Sequence, residues 1–167
     1  MNKFSKLIRK ILTISREKEV SLQDEIETLE LYVSIENLRF KNQIDFLIDI
    51  DASINTQTIK IPPLILQPFV ENAIWHGLSP KEGEKKLWLT ISKIDSNCIQ
   101  ISIKDNGIGR KKAQEFKAKK MIKRASIGLK LTEERLAVFS NHLEHKHQIS
   151  FQDLYEGTEV TIKLCTD

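Results

Sequence analysis

Apolar side chains recur along the chain at two periods, and each period predicts an element. Phe4, Leu7, Ile8, Ile11 and Leu12 fall three and four apart, which predicts an amphipathic helix over 3–14. Ser21 and Asp24 have the spacing of a capping box, and Leu22, Ile26, Leu29, Val33 and Leu38 carry a helical stripe from there to about Arg39. Acidic residues crowd the first turns of that helix, as its dipole favours. The period drops to two at Ile44, Phe46, Ile48 and Ile50, the pattern of a strand with one buried face. Ile61-Pro62-Pro63 closes this region. Pro63 suits the start of a helix running to about Gly77, with Pro68 near its first turns, where a missing N–H costs least. Residues 87–94 and 98–104 read as a hairpin across Asp95-Ser96-Asn97. A polar segment then runs to Ser126, a helix follows from about Ile127 to Ser140, and 148–152 with 158–164 form a second hairpin across Tyr155-Glu156-Gly157.

Strand pairs separated by helices favour an α+β fold, a sheet with helices packed on one face, over a doubly wound parallel sheet. The 167 residues suffice for one domain and a helical appendage. No stretch approaches the roughly 18 apolar residues that a membrane helix needs, and the basic and apolar N-terminal residues lead to no small-residue cleavage site. Cys98 and Cys165 are far apart and form no CxxC pair, so neither a zinc site nor a disulfide is expected, and a reducing cytoplasm fits.

Charge is unevenly spread. Between Arg110 and Arg124 eight basic residues stand against Glu115 alone, a local +7 within a chain whose total is +3. Basic charge confined to one segment reads as a local anion site or as a solvated loop, and not as a nucleic-acid-binding surface.

The candidate chemistry begins at Asp105-Asn106-Gly107-Ile108-Gly109, directly after a strand. Two glycines let a backbone turn sharply and approach a ligand, and a carboxylate at the strand's end can accept a hydrogen bond from an exocyclic amine. By itself the string is equally a tight turn. In LILQPFVENAIWHG, Asn72 and His76 share a helix face with Pro68, while Glu71 is turned about 100° away. An asparagine among Leu64, Leu66, Phe69, Val70, Ala73 and Ile74 needs a ligand, a metal or a local bond as partner.

Taken together, LQPFVENAIWHG, DNGIGR, SIGLKLTEERL and EGTEV, with SLQDEIETLELYVSIENLRF over Ser21–Phe40, resemble the LytS/YehU-type sensor histidine kinases. The resemblance implies the Bergerat (GHKL) fold shared with gyrase, heat-shock protein 90 and the mismatch-repair ATPases: a two-layer α/β sandwich with a mixed, mostly antiparallel sheet. It also implies ATP and magnesium as ligands. Asn72 would coordinate the metal, Asp105 would hold the adenine amine, and Gly107 and Gly109 would shape the wall beside the base. Gly128 and Leu129 would offer amides to the phosphates at a helix start, and Thr158 would lie near the adenine end. His76 is either a phosphate contact or a structural residue. The basic segment corresponds to the ATP lid, where Ser126 replaces a glycine often found before Ile127-Gly128 and is expected to stiffen it.

ATP-hydrolysing members of that fold carry a glutamate four residues before the asparagine; here the position is Pro68, which cannot act as a general base. The resemblance therefore implies a protein-histidine kinase, in which transfer depends on positioning and on the metal. The acceptor histidine of the family stands in a PHFLFN-like segment that this sequence lacks. His142, His145 and His147 read as solvated. The implied organisation is 1–40 as N-terminal helices, a remnant of a dimerisation hairpin lacking its first helix, and 41–167 as the ATP-binding catalytic domain. Implied partners are a response regulator receiver domain and, for the full-length protein, a second copy; the parent protein would be membrane-attached with this part cytoplasmic. The other open reading is a nucleotide-binding or interaction module without transferase activity. A P-loop or dinucleotide site is excluded, since no G-x-x-x-x-G-K occurs and the third glycine position after Gly107 and Gly109 is Lys112.

Overall fold

The computed structural model describes residues 2–41, 43–110, 119–140 and 147–165, with the side chains of 119–127, 129 and 140 left aside. Helix α1 (Lys3–Ile14) starts at Asn2, whose side chain accepts the Phe4 N–H, and buries Leu7 and Ile14. The stripe read from the sequence is split, because Phe4, Ile8 and Leu12 face outward. Strand β1 (Val20–Ser21) runs directly into α2 (Leu22–Arg39). The capping box is realised: the Ser21 hydroxyl accepts the Asp24 N–H at 3.0 Å. Strand β2 (Ile44–Ile50) alternates buried and exposed positions as its period demands.

Strand β3 (Lys60–Ile61) pairs antiparallel with β1, a two-residue ladder too short to leave a periodic trace in the sequence. The helix expected from Pro63 begins later, as α3 (Gln67–Asn72) with Pro68 in its first turn. Leu64 sits at φ 58°, in the left-handed region, so the chain turns at 64 and cannot yet be helical. The Ala73–Leu78 segment widens into a π-helical turn, closed by a hydrogen bond from Ser79 N–H to the Ile74 carbonyl at 2.7 Å.

The hairpin β4 (Lys85–Lys93) and β5 (Cys98–Asp105) is as expected, one or two residues longer at its open end. Helix α4 (Lys119–Ser140) corrects the expected start at Ile127, and part of the segment read as polar loop is helical. The physical reason lies in composition: KKMIKRA contains strong helix formers and neither glycine nor proline, so nothing stops the helix from extending upstream. Strands β6 (Gln148–Asp153) and β7 (Thr158–Cys165) form the second hairpin.

The main sheet has the order β2-β4-β5-β7-β6, with β2 parallel to β4 and the other pairs antiparallel. Register puts Ile48, Leu89, Ile103, Val160 and Phe151 in one row and Ile50, Ile91, Ile101, Ile162 and Ile149 in the next. Apart from Phe151, which is exposed on β6, these rows join Leu29, Val33, Phe69, Val70, Ile74 and Leu78 in a single core. Trp88, Thr90, Lys104, Ser102, Glu159 and Thr161 occupy the opposite face, so the helices cover one side only and the expected α+β sandwich is present.

Two expectations fail at the far rim of β5 and β7. Cys98 and Cys165 face each other across the ladder with Cα atoms 4.1 Å apart and form a disulfide. Antiparallel register, invisible from residues 67 apart in sequence, brings them together. His147 is half-buried, and not solvated. Its ring stacks on Phe139 at 5.3 Å and its Nδ1 accepts the Cys165 N–H at 3.3 Å, with burial lowering its basicity. His142 and His145, like Lys111, Lys112 and Lys117 of the basic segment, lie outside the described residues.

Candidate functional site

The last residue of β5 is Asp105, 4% exposed and directly opposite Thr158, the first residue of β7. The segments around 77 and 157 converge on it, and with the 105–109 turn they meet through three glycines. At Gly77, in the π-helical turn, an added Cβ would stand 2.5 Å from Asp105 Oδ1. At Gly107 it would lie 2.3 Å from the Gly77 carbonyl carbon, and at Gly157 1.8 Å from the Asp105 carbonyl oxygen. No side chain larger than hydrogen fits at any of the three, so the Gly77 backbone packs against the carboxyl, Gly107 against Gly77, and Gly157 against the Asp105 main chain. Gly109, at φ 78°, completes the turn with ordinary clearance from Gly157.

Hydrogen bonds fix this knot. Asp105 Oδ1 accepts the Gly107 N–H at 2.7 Å, and Ile108 N–H donates to the Gly77 carbonyl at 3.1 Å. Asn106 is stitched to the start of β4: its Oδ1 accepts the Lys86 N–H at 2.7 Å and its amide donates to the Glu84 carbonyl at 3.2 Å. Lys81 donates to the Asn106 carbonyl and pairs with Glu156 at 3.3 Å, joining the 77–81 and 154–157 loops. Desolvation lifts the Asp105 carboxyl to about 6 from an ordinary 3.8, against the opposing pull of the Gly107 and Thr158 N–H groups and of Lys81.

Asn72 ends α3 and is half-buried, one residue before the π-helical turn that reaches Gly77. His76 lies within that turn. A π-helical turn inside an α-helix is frequently found at functional sites. Glu71 faces the other way: its carboxylate accepts Gln67 Nε2 at 2.8 Å, and its charge is felt by Tyr32 and Glu36 of α2. Arg110 leaves the turn toward β6, held by Asp153 at 2.7 Å and lying 5.3 Å from the Phe151 ring.

Gly128 is where the structure departs from the sequence reading. It sits well inside α4, packed 3.5 Å from Pro68 of α3 through its Cβ position, so it does not open a helix. Its neighbour Leu129 is in the same helix, and their amides lie in helical backbone rather than at a free N-terminus. The sequence thus located Asp105, Gly107, Gly109, Asn72, His76 and Thr158 on converging elements. It missed Gly77 and Lys81, for which the glycine of WHG and the lysine four residues later were the available signals.

A family model described as histidine kinase matches residues 1–44. The sensor protein LytS of Oceanobacillus iheyensis is 41% identical over 105 residues, covering 63% of this chain and 17% of LytS. The uncharacterised protein YwpD of Bacillus subtilis is 37% identical over 119 residues, covering 71% of this chain and 42% of YwpD. The chain thus spans less than half the length of either relative. Among solved structures, the histidine kinase domain of the Erythrobacter litoralis EL346 blue-light activated histidine kinase superposes with a TM-score of 0.62 at 13% identity, over 99% of this chain and 75% of that one. Histidine kinase ThkA in complex with the response regulator protein TrrA matches with a TM-score of 0.55 at 18% identity, over 97% of this chain and 47% of that one.

The fold is therefore the one seen in the histidine kinase domain of the EL346 kinase and in the catalytic domain of histidine kinase ThkA. In sequence the chain is similar to LytS-type sensor proteins over 105 residues, and to the histidine kinase family model over residues 1–44.

Proposed function

We propose that this chain is the ATP-binding catalytic portion of a two-component sensor histidine kinase, transferring the γ-phosphate of ATP to a histidine on a dimerisation helix for relay to a response regulator aspartate. The observation that carries the reading is the buried Asp105 carboxyl at the end of β5, with the Gly77 backbone packed on it and the Gly107 N–H donating to it. Such a carboxyl in a cradle without side chains suits a planar base bearing an exocyclic amine. Asp105 then takes the adenine amine, with Gly107 and Gly109 beside the ring and Thr158 next to it on β7. The half-buried Asn72 carboxamide oxygen is a hard donor of the kind magnesium accepts, and one protein ligand plus phosphate oxygens is a usual magnesium set. When bound, magnesium would neutralise charge on the phosphates. His76, one turn on, is a second candidate for phosphate contact in this reading. Gly128 and Leu129 reach phosphates only if the start of α4 unwinds to free their amides.

Residues 41–167 form the catalytic domain in this reading, and 1–40 supply the helices that join it to a dimerising, membrane-attached parent with this part on the cytoplasmic side. A receiver domain is the phosphate's destination, as the ThkA–TrrA pair illustrates for a protein of the same fold. Among the described residues no helix is long and apolar enough to cross a membrane. The embedded position of Gly128 favours one second reading, a nucleotide-binding or interaction module without transferase activity.

Magnesium-ATP binding to the unmutated chain, lost in Asn72→Ala and Asp105→Ala, is the expected result; no binding by the unmutated chain overturns the proposal. Adding a fragment carrying the acceptor helix should then yield an acid-labile phosphohistidine, and its absence with binding intact selects the non-transferring reading.

A further inference from the structure

Glu25 of α2 is 1% exposed, yet it touches none of the proposed nucleotide contacts. Its two carboxylate oxygens accept the Leu64 N–H at 2.8 Å and the Leu66 N–H at 2.9 Å. A buried carboxylate is costly unless such bonds compensate it. Both bonds fall on the loop that launches the Asn72 helix. Leu64 there holds a left-handed φ of 58°, and Leu66 stands at the start of α3 without a side-chain cap of its own. Glu25 thus fixes from another helix the entry that a local capping residue would ordinarily fix.

The same loop is gripped from the opposite side. Arg135 of α4 donates to the Pro63 carbonyl at 3.0 Å and faces the Glu25 charge. About two turns earlier α4 meets α3 itself, where Gly128 packs on Pro68. The start of α2 is itself sewn to the segment just before the loop, by Leu22 N–H to the Ile59 carbonyl at 2.9 Å and Gln23 N–H to the Thr56 carbonyl at 3.0 Å. Residues 63–66 are consequently the place where α2 and α4, and through them the start of α3, are tied by polar bonds.

We infer that Glu25 and Arg135 are positioning residues for the Asn72 helix, setting the placement of the metal and phosphate end of the site from outside it. The inference rests on the reading of Asn72 given under Proposed function. A group that merely adds stability would weaken every part of the molecule together. A positioning pair acts on 64–72 and on the phosphate end, and moves the adenine end less, because the β5–β7 ladder holds Asp105 and Thr158 while the Asn72 helix reaches them only through the turn to Gly77.

The test compares Glu25→Gln and Arg135→Ala with Val33→Ala, a cavity in the same α2 that leaves the loop alone. Hydrogen–deuterium exchange should quicken about tenfold or more at residues 64–72 in the first two variants, with β4 and β5 amides within about threefold of the unmutated chain. Magnesium-ATP affinity should fall about tenfold and adenosine affinity by less than about threefold, a split that Val33→Ala does not show. Unchanged exchange at 64–72, uniform acceleration everywhere, or equal weakening of ATP and adenosine each overturns the inference. If Glu25→Gln does not fold, Arg135→Ala decides by the same readouts. An unmutated chain that binds neither ligand defeats the proposed function, and the exchange pattern then decides whether Glu25 and Arg135 hold the loop.

Discussion

Asp105 gives the molecule a pH signature. Its carboxyl keeps a proton up to about 6 in the folded chain, against an ordinary 3.8. The folded state therefore binds the proton more tightly than the unfolded one. This group's contribution to stability is most favourable below the unfolded value, declines as pH rises from 3.8 through about 6, and is flat above that. The swing is on the order of 3 kcal/mol. Denaturant melts between pH 4 and 7 should show this decline in the unmutated chain and a flatter profile in Asp105→Asn; parallel profiles would contradict it. Adenosine, which has no phosphates to titrate, should bind more weakly below pH 6, because the ionised carboxyl is the better acceptor for its amine. The glycines separate two kinds of cost. Gly107→Ala drives a methyl into the Gly77 backbone and should lose about 3 kcal/mol or more. Gly109→Ala meets only ordinary contacts but carries left-handed strain, and should lose about 1–2 kcal/mol. Equal losses would show that the close approach at Gly107 is relieved at no cost. Asp105, Gly107 and Gly109 were legible in the sequence because their chemistry is contained in one short string. Gly77 was not, since its need for a bare backbone arises from a neighbour 28 positions away.

At the scale of elements, alternation and capping were enough to place α1, α2 and the strands of the main sheet within one or two residues. Each carries its own signal: a stripe, a Ser21 cap, or a period of two. The misplacements share a cause, namely that a partner outside the segment decides. Glu25 and the turn at Leu64 delay α3 to Gln67, and α4 continues upstream because no breaker stands between Lys119 and Gly128. The π-helical turn preserves the apolar content of an α-helix and changes only its winding, which composition does not record. The Cys98–Cys165 disulfide belongs here too, as a clasp on the β5–β7 ladder at the end remote from Asp105 and Thr158. Closing a loop of 67 residues is worth about 4 kcal/mol by the chain-entropy argument. Thermal melts with and without reductant should therefore separate clearly, and Cys98→Ser with Cys165→Ser should melt like the reduced chain. Coincident melts would mean that the clasp contributes nothing beyond the packing of two buried thiols.

The whole molecule is a one-sided sheet, and its helices have a shared task. α2 covers the core, α3 with the π-helical turn links the core to the glycine knot, and α4 closes over α3 through Pro68. The knot takes one strand of chain from each of three regions, around 77, 105–109 and 156–158, and no region builds it alone. Strand β7, the last in sequence order, is not at the rim of the sheet but between β5 and β6. A ribosome releases the chain in the other direction. Until Thr158–Cys165 has emerged, β5 lacks its β7 partner and the Gly157 side of the Asp105 corner is not held in place. Synthesis of the stretch from Asp105 to Gly157 therefore passes without a complete Asp105 corner, and no ligand that needs this corner can act as a folding template before β7 emerges.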